Sequence, residues 1–162
     1  MRGTARVAVS IFAATLLLAA AARAEQAASP RAEYVAQLEP ICEANAVANK
    51  RILRNVRAKV KKGRLREAGA QFIHAAAAFG ATVGKLAAVP RPGEDDARLR
   101  RWFKQLRIVQ ANLRKLGKAL KGENRILAAH ERIRVERSGN AANNVGFVFE
   151  FHQCRFTPSR FT

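Results

Sequence analysis

The 162-residue chain is predicted to be all-α: an up-down-up-down four-helix bundle with one disulfide joining the first helix to the end of the last. Three observations carry this. Apolar residues recur every three or four positions through four separate segments, the spacing that lines up one face of a helix. The three connections between those segments are short and built on Gly or Pro, so consecutive helices pack as antiparallel neighbours. The two cysteines, Cys42 and Cys154, fall near the start of the first helix and the end of the last, and this topology brings those places to the same end.

The elements follow in order. Residues 1–24 read as a signal peptide, with Arg2 and Arg6 ahead of an apolar run from Val7 to Ala22 and a small-x-small cleavage site at Ala22-Arg23-Ala24. The alternative is an uncleaved anchor, but the run is shorter than the roughly 20 residues a spanning helix needs. Residues 25–31 form a flexible leader, 32–154 the bundle and 155–162 a C-terminal tail.

The first helix is expected from Ala32 to Lys61, with Tyr34, Leu38, Ile41, Asn45, Ala48, Ile52 and Val56 on its inward face. Pro40 lies inside it and should bend it, because proline removes a backbone donor. Lys62-Gly63 closes it, glycine suiting the C-terminal cap. Arg64 to Ala88 gives the second helix, with a stripe of Leu65, Ala68, Phe72, Ala75, Phe79, Val83 and Leu86; Gly80 and Gly84 suggest a close-packed neighbour. Val89-Pro90-Arg91-Pro92-Gly93 is a clear break. Acidic Glu94, Asp95 and Asp96 then open the third helix, where negative charge favours the positive end of the dipole. Its stripe is Leu99, Trp102, Leu106, Val109, Leu113, Leu116 and Leu120, and Gly122 ends it. The fourth runs from about Asn124 toward Phe151 through Ile126, His130, Ile133, Ala141, Asn144, Val148 and Phe151.

An exported chain with an even number of cysteines pairs them. The sequence has no Cys-x-x-Cys and no His close to Cys42, which argues against a redox or metal role. A Cys42–Cys154 bridge closing so long a loop should stabilise the fold by roughly 4–5 kcal/mol.

Leu38-Glu39-Pro40-Ile41-Cys42-Glu43-Ala44-Asn45, Ala78-Phe79-Gly80, Val89-Pro90-Arg91-Pro92, and Asn143-Asn144 followed by Gly146-Phe147 and Cys154 together resemble a group of small exported bacterial helical proteins of unassigned function. The resemblance spans most of the mature chain. It implies an exported helical domain with paired cysteines, and it carries over no catalytic residues.

Chemistry of the usual kinds finds little footing. A di-iron bundle needs inward Glu residues and Glu-x-x-His pairs, and the predicted stripes contain no acid. The only Met is Met1, and no covalent haem motif, Gly-x-Ser-x-Gly or phosphate loop is present. No catalytic residue, metal or cofactor is therefore assigned. Asn45 and Asn49 of the first helix, with Asn140, Asn143 and Asn144 of the fourth, are expected to form a polar layer that fixes helix register, since buried amides need partners. The sharper reading makes Asn45, Asn49, Asn140 and Asn144 the lining of a small-ligand pocket between the first and fourth helices.

Charge is the strongest signal. The full chain carries +18 at pH 7; removing the signal takes three arginines and no acid, leaving 27 basic and 12 acidic residues, a net +15. Arg98, Arg101, Lys104, Arg107, Arg114, Lys115 and Lys118 of the third helix, with Arg54 and Arg57 of the first, are expected to form a cationic surface. That surface suits an anionic envelope polymer or a membrane surface. Single-stranded nucleic acid is not favoured, because Trp102 belongs to the core stripe and not to a stacking platform. The expected function is that of a non-catalytic, exported basic bundle, secreted or held at the cell envelope by charge. The alternative is the small-ligand carrier.

Overall fold

A computed structural model describes residues 29–157. The predicted signal peptide, 1–24, lies outside the described residues, as do 25–28 and 158–162. Five helices follow one another: α1 (Pro30–Ile52), α2 (Val56–Lys61), α3 (Leu65–Ala88), α4 (Asp96–Lys121) and α5 (Arg125–Gly146), the short α2 being the continuation of the first long arm. Residue pairings give the direction of each. Asn45 of α1 meets Thr82 of α3 while Ile52 meets Gln71. Gly69 lies against Gly117 of α4 while Gly80 lies against Gln110. Trp102 of α4 lies against Gly146 of α5 while Asn112 meets Ser138. Each consecutive pair is antiparallel, so the bundle is up-down-up-down.

The first arm starts earlier than expected and breaks before its expected end at Lys61. Ser29 caps α1 by accepting from the Ala32 amide at 3.2 Å, and Pro30 occupies the first turn, where its missing N–H costs nothing. The expected leader therefore contributes its last residues to the fold. Pro40 does not interrupt α1; the interruption comes at residues 53–55, where Asn55 adopts the left-handed region with φ 61°. The reason lies on α3. Gln71 Nε2 donates to the carbonyls of Ile52 (2.6 Å) and Arg54 (3.1 Å), two acceptors that a continuous helix would have used internally. Gly63, at φ 75°, turns the chain after α2 as its position predicted.

The second and third predicted stripes are buried in full: Leu65, Ala68, Phe72, Ala75, Phe79, Val83 and Leu86 on α3, and Leu99, Trp102, Leu106, Val109, Leu113, Leu116 and Leu120 on α4. Of the two glycines expected at a close contact, Gly80 is tightly packed, a Cβ there meeting the Gln110 side chain of α4 at 2.0 Å, but the backbone-to-backbone crossing is made by Gly69 and Gly117. A Cβ at Gly69 would sit 2.5 Å from the Gly117 carbonyl, and one at Gly117 would sit 2.9 Å from that of Gly69, whereas Gly84 faces open space. The shared surface of α3 and α4 is set by this backbone-to-backbone approach.

The stripe predicted for the fourth helix is misplaced. Ile126 is 76% exposed; His130, Ile133, Asn144 and Val148 are also exposed, and only Phe151 is fully buried. Instead α5 turns Ala128, Glu131, Val135, Ser138, Gly139, Ala142 and Gly146 inward. Small residues let its backbone approach α4, and the larger apolar side chains find no room there. The expectation that no acid faces the core also fails. Glu131 is buried and accepts from Arg134 at 2.8 Å, and Asp95 is buried beneath Arg31, whose Nε and Nη2 reach its two oxygens at 2.7 and 2.8 Å. The Arg31–Asp95 pair pins the start of α1 to the start of α4.

Beyond α5 the chain makes a single 3-10 turn, Phe147–Phe149, and reverses at Glu150 (φ 51°). Gly146 makes room for Trp102, whose Nε1 lies 3.1 Å from where a Cβ at that position would be. Phe151 stacks on Trp102 at 4.9 Å between ring centroids and on Phe149 at 5.3 Å. These rings seat residues 147–157 on the bundle as a packed segment, where the sequence suggested a continuing helix and a tail.

Candidate functional site

The Cys42–Cys154 disulfide is present, with the Cα atoms 5.0 Å apart, and it joins α1 to the C-terminal segment. A disulfide fits an oxidising compartment. No helix among the described residues is long and apolar enough to cross a membrane.

The disulfide adds to the ring packing of that segment, and two polar attachments join it. On α1, both carboxylate oxygens of Glu39 accept from backbone amides, those of His152 (2.8 Å) and Gln153 (2.6 Å). On α5, the Asn143 amide pairs with Phe156 in both directions, donating to its carbonyl at 2.7 Å and accepting from its N–H at 2.8 Å. Phe156 lies over Gly139, where a Cβ would come within 2.0 Å of its ring. Residues 150–157 are thus fixed to α1 on one side and to α5 on the other. Glu39 carried no signal in the sequence, because a lone acid on a helix gives no hint of two amides more than a hundred residues away.

The predicted asparagine group divides. Asn49 is buried, 4% exposed, and donates to Asn45 Oδ1 at 3.1 Å; Thr82 Oγ1 of α3 lies 3.2 Å from the same oxygen and 3.0 Å from the Ala78 carbonyl, and its single hydrogen is shared between them. Asn140 and Asn144 are exposed on α5 and take no part, which removes them from the predicted layer. The outward rotation of α5 is the reason. Asn143 keeps a role, as the clamp on Phe156.

Beside Asn45 and Asn49 lies an open cleft of about 600 Å³. It sits between α1, α3, α4 and the C-terminal segment, and not between the first and fourth predicted helices. Leu53, Phe79, Leu86, Trp102, Leu106 and Phe156 supply apolar wall, and Asn45, Asn49 and Thr82 the polar part. Thr82, Phe156 and Trp102 were not identified as lining residues from the sequence. A smaller depression of about 350 Å³ lies among α2, α3, α4 and α5, with an apolar floor and Arg57, Lys61, Arg125 and Arg132 around it.

Of the predicted cationic residues, Arg101, Lys104, Arg107, Arg114, Lys115 and Lys118 are exposed along α4, and Arg98 is partly buried. Arg54 and Arg57 are exposed too, in the α1–α2 turn and α2. From Arg101 to Lys121 the α4 cations span about 30 Å at the helical rise. None of the seven predicted α4 residues has a carboxylate partner within 4 Å among the described residues. The one acid of α4, Asp96, is already paired with Arg91 and Arg100.

Tyr34 is buried beside the start of α1, its hydroxyl without a partner among the described residues; burial pushes its pKa up to about 12, against a smaller opposing effect of Arg91. Among the described residues no three of His, Cys, Asp and Glu gather closely enough to hold a metal ion. No protein-family model, curated protein or solved structure matches the chain.

Proposed function

We propose that this protein is a non-catalytic, exported basic bundle that associates by charge with a linear anionic polymer of the cell envelope, and that the outer face of α4 is the binding surface. The observation behind the reading is the line of unpaired, exposed Arg and Lys side chains running the length of α4. An uncompensated cationic row about 30 Å long attracts a polyanion and releases its counterions, which makes binding steeply salt-dependent. A polymer suits the row better than a bilayer does. The one large apolar side chain exposed on α4 is Ile108, at 38%, and it offers little to insert among acyl chains.

The test is a salt series on the disulfide-intact mature chain with sodium polyphosphate as the polyanion, in parallel with anionic and neutral lipid vesicles. Affinity for polyphosphate should fall linearly on a log-log plot against salt. The triple variant Lys104→Gln, Arg107→Gln, Arg114→Gln should flatten that slope by about two, close to one phosphate contact per lost cation. Neutralising Lys50, Arg51 and Arg54 instead should change it less. Equal slopes for the two triple variants, or binding insensitive to salt, would remove α4 as the surface. Preference for anionic vesicles over polyphosphate would move the reading to membranes.

A further inference from the structure

We propose that the cleft between α1, α3, α4 and the C-terminal segment binds a small, uncharged amphipathic molecule: an apolar body carrying one hydroxyl or amide N–H donor. The site is separate from the α4 surface and does not depend on it.

The polar part of the cleft states what is missing. Asn45 Oδ1 already accepts from Asn49 Nδ2, and the Thr82 hydroxyl, whose single hydrogen is shared with the Ala78 carbonyl, lies within reach of the same oxygen. Asn49 Oδ1 is buried and meets no donor from the described residues. A buried amide oxygen in that condition is unusual in a layer that serves only to hold helices together. Asn49 lines an open cleft. The oxygen itself is covered, so a shift of the Asn49 side chain toward the cleft has to accompany the arrival of a donor on a ligand.

The remaining walls set the rest of the ligand. Apolar and aromatic side chains from three helices and the C-terminal segment face the space, and its volume of about 600 Å³ falls within the roughly 300–1,000 Å³ of small-molecule sites. Charge makes no selection. Lys50 and Arg155 lie at the lining together with Glu43, so the charged groups are of mixed sign. The wall is also preformed. Cys154, Phe156 and their neighbours are held by the disulfide, by Glu39 and by Asn143, so little ordering remains to oppose binding.

Trp102, the only tryptophan, is in the cleft wall and reports on occupancy. The probes are para-butylphenol and its methyl ether, which share an apolar body and differ in the donor. On the disulfide-intact chain, butylphenol should change Trp102 fluorescence saturably and independently of salt, and the ether should bind about fivefold more weakly, the net worth of one hydrogen bond. Asn49→Leu removes the acceptor while keeping an apolar volume, and should make the two probes equal. Ala46→Phe, at the cleft lining, should abolish binding of both while helicity and the disulfide are retained; it also serves if Asn49→Leu does not fold. No saturable change, equal affinities in the unaltered protein, loss of binding with added salt, or full binding to folded Ala46→Phe would each overturn the proposal. The α4 triple variant should bind butylphenol normally, so failure of the polyanion reading and failure of this one are told apart.

Discussion

The two sides of this bundle are held together differently. Where α3, α4 and α5 meet, helix faces touch directly: Gly69 crosses Gly117, Trp102 fills the space over Gly146, and the α3 and α4 stripes are buried. Where α1 should meet α5, residues 147–157 come between, fixed to one helix by Cys42 and Glu39 and to the other by Asn143. The first side rests on shape and apolar burial, which tolerates no added volume. The second rests on a covalent bond, a few polar attachments and the buried rings of Phe149, Phe151 and Phe156, and it leaves a cleft. Dense packing makes an inert seam, whereas attachment at points leaves room for a ligand.

Removing the covalent bond tests that division most strongly. The double variant Cys42→Ser, Cys154→Ser should lose about 4–5 kcal/mol in the chain-entropy account of a loop this long. The damage should be uneven. Hydrogen exchange should quicken first in α1 and residues 150–157, while amides of α3 and α4 around Gly69 and Gly117 exchange only with global unfolding. Uniform loss of protection would mean that the two sides unfold as one.

Next in size is the dense side. Gly69→Ala puts a Cβ against the Gly117 carbonyl and the Lys121 backbone, both at 2.5 Å, and backbone cannot rotate out of the way as a side chain can. Denaturant unfolding should show a loss of about 3 kcal/mol. Gly84→Ala, facing open space, should instead be neutral or stabilising, by up to about 1 kcal/mol. If both substitutions behave alike, the crossing is not as close as described.

The smallest effect concerns the buried Tyr34. Its pKa is raised to about 12 in the folded protein, against about 10 in an unfolded chain. Between those values the unfolded state has lost the phenolic proton and the folded state keeps it. Stability therefore falls as pH rises through that window, by about 1.4 kcal/mol per pH unit, and the contribution is fully present below pH 10. Tyr34→Phe should lose this slope. Parallel alkaline unfolding curves for the two proteins would show that Tyr34 ionises without cost.

Reading the sequence located α3 and α4 well because their apolar residues are large and evenly spaced, and each such residue had one place to go. It failed on α5 because Ile126 and Ile133 are conspicuous while the surfaces that pack are Ala128, Ser138, Gly139 and Ala142. Close helix approach selects for small side chains, which a search for hydrophobicity passes over. The asparagine group failed with it: once α5 is rotated, Asn140 and Asn144 face outward, and half of the predicted site was legible only as Asn45 and Asn49.

By itself, then, the sequence determined the helical class, the alternating topology, the cysteine pair and the cationic outer face of α4. All of these follow from local periodicity, short connections and an even cysteine count. Tertiary structure alone decided the rest. The break at Asn55 depends on Gln71 reaching across from α3. The Glu39 clamp depends on amides at residues 152 and 153, and the cleft on a C-terminal segment lying between two helices that a simple bundle would have packed together. Polar attachments between distant residues leave no period in the chain, because a hydrogen bond is set by where two atoms meet and not by the spacing of either one's neighbours.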